Sequence, residues 1–63
     1  MPIANLQILE GREPQLKAAL IRSVTAAIVD TLKVKSESVR VLITEVPAAH
    51  WGIGGASAKE LGR

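Results

Sequence analysis

The chain has 63 residues, of which 48% are hydrophobic, with no cysteine, one histidine, a single aromatic residue and a formal net charge of +2 at pH 7. This length allows one domain over residues 1–63, and the lack of cysteine excludes disulfides and thiolate metal sites and favours a reducing cytosol. Scattered basic residues, one aromatic ring and apolar stretches broken by charge argue against nucleic acid and membrane partners.

The first predicted element is a short strand over residues 3–9, where apolar and amide side chains alternate. Pro2 stands just before it, and proline is tolerated at the start of a strand because that position need not donate an N–H. If Met1 is removed, Pro2 instead presents a free secondary amine fixed by its own ring. The local sequence leaves both interpretations open.

A helix is predicted next. Glu13 and Pro14 are typical of a helix start, because the N–H that proline lacks would have no partner in the first turn. Aliphatic residues then recur every four positions, which predicts an amphipathic helix to about residue 32. These residues are Leu16, Leu20, Val24, Ile28 and Leu32.

A second strand is predicted over residues 38–46, ended by Pro47, and a polar loop at 33–38 precedes it. Arg40 lies within this apolar strand, so it needs an anion or access to water. It either forms a salt bridge across a subunit interface or binds a substrate carboxylate with its planar guanidinium. Arg12, just past Gly11, is either an exposed loop residue or a second carboxylate ligand.

The C-terminal quarter is rich in glycine. The segment HWGIGG at residues 50–55 predicts a tight turn or hairpin, because it is neither a Walker loop nor a complete dinucleotide-binding motif. His50, next to Trp51, is either a functional residue or, more commonly in such a position, an ordinary loop histidine. Residues 56–63 are expected to be a polar tail. A lone histidine also leaves the serines without a catalytic set and excludes an ordinary zinc site.

Strand, helix and strand in this order predict an α/β (α+β) fold, a β-α-β protomer whose two strands pair in parallel through a right-handed crossover. One helix covers one face of the sheet and leaves the other face and both edges open. Two strands are marginal alone, so we expect dimerisation to complete a four-stranded sheet.

Three segments taken together resemble the short-chain members of the tautomerase superfamily. They are PIANLQILEGR at residues 2–12, SVRVLITE at 38–45 and HWGIGG at 50–55, and their order and spacing match the family over essentially the whole chain. The resemblance implies a homohexamer, a trimer of dimers, with no metal or organic cofactor. Trp51 stands where the family has phenylalanine, which keeps an apolar wall but adds an indole N–H.

The resemblance also implies site residues, supplied by neighbouring subunits. Met1 would be removed and Pro2 would be the general base that moves a proton from a dienol hydroxyl to carbon. Arg40 would stabilise the dienolate and Arg12 would bind a distal carboxylate. The substrate would be a dicarboxylate dienol such as 2-hydroxymuconate. Trp51, Leu9 and Ser38 would complete the binding site.

Two alternatives remain open at this stage. A homologue with another main substrate, such as a dehalogenase or decarboxylase, usually needs an extra acid to activate water, and Glu10 and Glu45 are the nearby carboxylates. A chain that keeps Met1 would instead be a non-catalytic oligomeric binding protein, because Pro2 would then be an amide.

Overall fold

The computed structural model describes all 63 residues, and its elements follow the predicted order. In chain order they are β1 (Ile3–Leu9), α1 (Pro14–Leu32), a 3-10 turn (Ser36–Ser38), β2 (Arg40–Val46), a second 3-10 turn (Ala48–His50), β3 (Gly52–Ile53) and β4 (Ala56–Ser57). The predicted β-α-β protomer with a C-terminal hairpin is confirmed. No helix in the structure combines the length and the apolar character needed to cross a membrane.

Strands β1 and β2 pair in parallel, from Ile3 opposite Arg40 to Leu9 opposite Val46. One hydrogen bond extends the ladder at each end. The Arg40 N–H donates to the Pro2 carbonyl at 3.0 Å, and the Glu10 N–H donates to the Val46 carbonyl at 3.0 Å. The pair therefore has an amino end that begins at Pro2 and a carboxyl end that closes beyond Leu9.

The boundaries of α1 follow from its terminal residues. Glu13 is extended (φ −70°, ψ 150°) and Pro14 occupies the first turn, where proline costs no hydrogen bond. At the other end Lys33 adopts a left-handed conformation (φ 57°) and its N–H donates to the Val29 carbonyl at 2.9 Å, which satisfies one of the last orphan carbonyls.

The apolar stripe of α1 covers the sheet only in its middle. Leu20, Val24 and Ile28 are half-buried, whereas Leu16 and Leu32 at the two ends are each 58% exposed. The reason is length, because a 19-residue helix measures about 28 Å at 1.5 Å per residue and a seven-residue strand about 23 Å. The ends of the stripe therefore project beyond the strand pair.

Few residues of the isolated protomer are buried. Only Val39 and Ala58 are buried, and the accessible surface is 4673 Å², against roughly 3,900 Å² expected of a compact monomer of this mass. The radius of gyration is 14.5 Å where a compact chain of this length would have about 11 Å. A flat plate with exposed Ile3 and Leu42 on the open sheet face is the shape of a subunit rather than of a finished globule.

The C-terminal prediction was wrong in part, since residues 56–63 are not simply a polar tail. Ala56–Ser57 forms β4, which pairs antiparallel with β3, and Ala58 is fully buried with its N–H donating to the Trp51 carbonyl at 2.7 Å. The cause is the connecting turn, where Gly54 and Gly55 both have positive φ (62° and 95°) and so allow a two-residue hairpin.

Candidate active site

The amino end of the strand pair presents Pro2 and Arg40 side by side. Pro2 is half-buried, and its carbonyl accepts the Arg40 backbone N–H described above. The Arg40 guanidinium turns back toward the preceding 3-10 turn, where Nη1 donates to the Glu37 carbonyl at 2.7 Å and to the Val39 carbonyl at 3.3 Å. It pairs with no carboxylate inside the protomer, so its other N–H groups remain available to an anion.

Ser38 belongs to the same end of the molecule. Its Oγ donates to the Lys35 carbonyl at 2.8 Å, and its backbone N–H donates to the same carbonyl at 3.1 Å. Val39 follows as one of the two buried residues and anchors the turn. The hydroxyl of Ser38 thus closes the turn against which the Arg40 guanidinium rests, and its oxygen can still accept a hydrogen bond.

The carboxyl end of the strand pair collects Leu9, Arg12 and Trp51. Gly11 has a φ of 116°, a conformation that favours glycine, and it lets the chain fold back after β1. Arg12 Nη1 then donates to the Leu9 carbonyl at 3.0 Å, which holds this guanidinium beside the end of the strand. Leu9 in turn lies opposite Val46 of β2.

The one cavity of the protomer, about 210 Å³, opens at this carboxyl end. It is lined by Gln7, Val46, His50, Trp51 and Gly52. Trp51 therefore contributes to the wall of this cavity. Val46 is also the strand partner of Leu9, whose carbonyl accepts the Arg12 hydrogen bond, so the cavity and Arg12 belong to the same end of the strand pair.

A single protomer does not bring the predicted site residues together. Pro2 and Leu9 stand at opposite ends of β1, about 23 Å apart at roughly 3.3 Å per strand residue. A six-carbon dicarboxylate is only about 8 Å long, given carbon–carbon bonds of about 1.5 Å. A site in which residues from both ends of the strand pair contact one small molecule must therefore take those residues from two different protomers.

The two carboxylates considered for activating water, Glu45 and Glu10, occupy different positions relative to the cavity. Glu45 Oε1 pairs with Lys17 Nζ at 2.6 Å, and Lys17 belongs to the helix that covers one face of the sheet. Gln7, which lines the cavity, occupies the alternate position and points to the opposite face. Glu10 is exposed just beyond β1. Glu45 is thus engaged on the face away from the cavity.

Gln7 and His50 are the two polar side chains of the cavity that were not among the predicted site residues. His50 was expected to be an ordinary loop residue, and Gln7 counted only as part of the polar face of β1. Their signal was present but weak, since an exposed amide in an alternating strand and a histidine beside a tryptophan occur in many loops and surfaces. Only the fold brings the two side chains together around one cavity.

Comparison with known proteins agrees with this architecture. Residues 2–61 match the model of the family described as Tautomerase enzyme. Over all 63 residues, and over the full length of the relative, the chain is 56% identical to the 2-hydroxymuconate tautomerase of Stutzerimonas stutzeri.

Solved structures give the same result. The fold superposes with a TM-score of 0.95 on a 4-oxalocrotonate tautomerase isozyme of Methylibium petroleiphilum, at 47% identity and with 98% of this chain and 100% of that one covered. A heterohexameric 4-oxalocrotonate tautomerase of Chloroflexus aurantiacus gives a TM-score of 0.92 at 41% identity, with 97% and 98% covered.

Proposed function

The chain belongs to the tautomerase enzyme family and is an isomerase, and from this premise we propose that it ketonises 2-hydroxymuconate-type dienols with Pro2 as the general base. The observation that carries the proposal is the pairing of Pro2 with Arg40 at an open end of the sheet, through a 3.0 Å backbone hydrogen bond. A base and a cation held at one end suit proton transfer with developing negative charge.

Pro2 can act only after Met1 has been removed, because the nitrogen of Pro2 is otherwise an amide without basicity. Met1 is 78% exposed and lies outside β1, so it is accessible to an aminopeptidase. The match to the family model also begins at residue 2. Both facts support a mature chain that starts with a proline amine held by its ring.

The proposed reaction moves one proton and changes no oxidation state. The Pro2 nitrogen takes the proton of the C2 hydroxyl, and the O–H electron pair forms the C2 carbonyl. The diene electrons shift along the chain to form a new C–H bond at C5, with the proton returned by the same nitrogen. The product is the conjugated 2-oxo-3-hexenedioate, and one rigid amine serves both transfers.

The arginines and the apolar residues would bind the substrate and stabilise the dienolate. Arg40 binds the carboxylate and oxygen near the reacting carbon and stabilises the dienolate as it forms. Arg12 binds the distal carboxylate, which a guanidinium can hold with two hydrogen bonds. Trp51 and Leu9 form an apolar wall, and Ser38 supports the turn beneath Arg40 while offering its oxygen to the ligand.

The assembly would complete the site. When two such protomers pair edge to edge about a two-fold axis, like strands run antiparallel, so the amino end of one protomer lies beside the carboxyl end of its partner. The flat shape, the open sheet face and the scarcity of buried residues support this pairing. We extend the proposal to a homohexamer of three such dimers, as the heterohexameric relative suggests.

The test combines intact mass with an assay. The purified protein is weighed by mass spectrometry, and ketonisation of 2-hydroxymuconate is followed by its ultraviolet absorbance with the spontaneous rate subtracted. We expect a mass without Met1 and turnover well above the spontaneous rate. A chain that lacks Met1 and still gives no turnover contradicts the proposal. A chain that keeps Met1 and binds small acids without turnover would favour the non-catalytic alternative.

A further inference from the structure

The cavity at the carboxyl end has two polar lining residues, Gln7 and His50, to which the proposed reaction gives no role. Its volume of about 210 Å³ equals roughly seven waters at about 30 Å³ each, which suits part of a small ligand rather than a large one. The same cavity contains Trp51, the residue that departs from the family pattern. Because of Trp51, the lining of this cavity differs from the family pattern, and this difference can set substrate preference.

The polar groups of this lining are free to bind a ligand. None of the side-chain hydrogen bonds within the protomer uses Gln7, His50 or the indole N–H of Trp51. An amide offers two N–H donors, and an imidazole and an indole offer one each when neutral. No carboxylate lines the cavity. A set of donors without an acid is suited to the acceptor oxygens of an anionic or strongly polar group.

The fold keeps the nearest strand carboxylate away from this cavity. Gln7 lies opposite Thr44, and the neighbouring pair, Ile8 and Glu45, points to the other face of the sheet. There Glu45 is paired with Lys17. The Gln7 face thus presents an amide toward the cavity, and no Asp, Glu, Lys or Arg side chain lines it.

We propose that Gln7 and His50 are specificity-determining residues, which bind the polar group at the end of the substrate farthest from the reacting carbonyl. This inference rests on the proposed function, because it takes the far end of a dienol as the occupant of the cavity. Arg12, held on the Leu9 carbonyl at the same end of the strand pair, supplies the positive charge, and the amide and imidazole supply hydrogen bonds. The Trp51 indole N–H adds a donor that phenylalanine would lack.

The experiment replaces an amide side chain by the carboxylate of the same shape at two positions, one that lines the cavity and one outside it that serves as the control. Gln7→Glu puts a negative charge in the lining, and Asn5→Asp makes the same change two residues earlier on the same strand face, about 7 Å away. For wild type and both variants, kcat/KM is measured with 2-hydroxymuconate and with 2-hydroxy-2,4-pentadienoate, which lacks the distal carboxylate. The ratio of the two values reports on the far end alone.

We expect Gln7→Glu to lower this ratio about tenfold or more, because like charges at close range repel strongly where water is partly excluded. Asn5→Asp should lower it by about threefold at most, because distance and salt weaken the repulsion. His50→Ala should lower it by about two- to tenfold, the range for one lost hydrogen bond. Equal ratios in wild type and Gln7→Glu would overturn the inference.

A binding measurement separates this inference from the proposed reaction. Trp51 is the only tryptophan, so its fluorescence reports on the cavity while adipate or hexanoate is titrated. We expect Gln7→Glu to weaken adipate about tenfold relative to hexanoate, and Asn5→Asp to change that preference little. If this result is obtained with protein that turns over neither dienol, the proposed function fails, and the binding of a distal carboxylate beside Gln7 stands without it. If the preference is unchanged by Gln7→Glu, the inference fails whatever the activity.

Discussion

The two ends of the β1–β2 pair are held in different ways. At the amino end, backbone hydrogen bonds join Pro2 to Arg40 and Arg40 to the Ser36–Ser38 turn, and the buried Val39 anchors the segment. At the carboxyl end, the chain leaves the sheet through Gly11 and an open cavity forms beside Trp51. The amino end is thus suited to holding reacting groups in a fixed position. The carboxyl end is suited to binding a substrate group whose identity can vary.

The same comparison explains why the protomer is incomplete. Each end carries an arginine, but the ends lie about 20 Å apart along the strands, more than twice the length of a six-carbon diacid. In the proposed mechanism the base at Pro2 needs a binding pocket for the far end of the substrate, and one protomer places these two groups at opposite ends. The proposed two-fold pairing of protomers would remove the separation, since it would place unlike ends together.

The largest expected effect lies at the amino end. Pro2→Ala replaces the ring-held secondary amine by a mobile primary amine, and we expect kcat to fall by about 10³-fold or more, in the upper part of the range usual for loss of a general base. Ketonisation of 2-hydroxymuconate is measured with Met1 removal verified by mass. Full activity in this variant would show that Pro2 is not the base.

Arg40→Ala should come next in size. Loss of a positive group aimed at the developing dienolate should lower kcat by about 10²- to 10³-fold, for the diacid and for 2-hydroxy-2,4-pentadienoate alike. The two substrates are compared under the same conditions, and Arg22→Ala on the exposed side of α1 serves as the arginine control. A loss confined to the diacid would move Arg40 to recognition of the far end.

Arg12→Ala should instead affect the KM values of the two substrates differently. Removing a charged hydrogen-bond donor from the carboxyl end should raise KM for the diacid by about tenfold and change little for the monoacid. Steady-state kinetics on both substrates gives the answer. If both KM values rose equally, Arg12 would support the fold of the loop rather than bind a carboxylate.

A smaller effect is expected on stability alone. Gly11→Ala places a side chain in a backbone with φ of 116°, which should reduce the free energy of unfolding by about 1–2 kcal/mol. Urea unfolding is followed at a fixed protein concentration, because assembly contributes to stability. Gly52→Ala, where φ is not positive and no atom lies within 4 Å of the added Cβ, is the matched control.

The sequence predicts the elements well and the site only in outline. The bounds of α1 and β1 follow from Pro14 and from the alternation over residues 3–9, because these local signals set the structure directly. The exposure of Leu16 and Leu32 did not follow, since it depends on the relative lengths of helix and strands. Gln7 and His50 were missed because only tertiary structure brings a strand residue and a distant loop residue to one cavity.

The central claim is that one site takes its base from one protomer and its distal arginine from another, and mixed assembly tests it most directly. Pro2→Ala and Arg12→Ala protomers are unfolded together, refolded in equal amounts and assayed with 2-hydroxymuconate at low concentration. If the two groups come from different protomers, about a quarter of the sites regain both wild-type groups by random pairing, and activity rises to about a quarter of wild type. If both groups come from the same protomer, no site is restored and the mixture stays at the mean of its two parents.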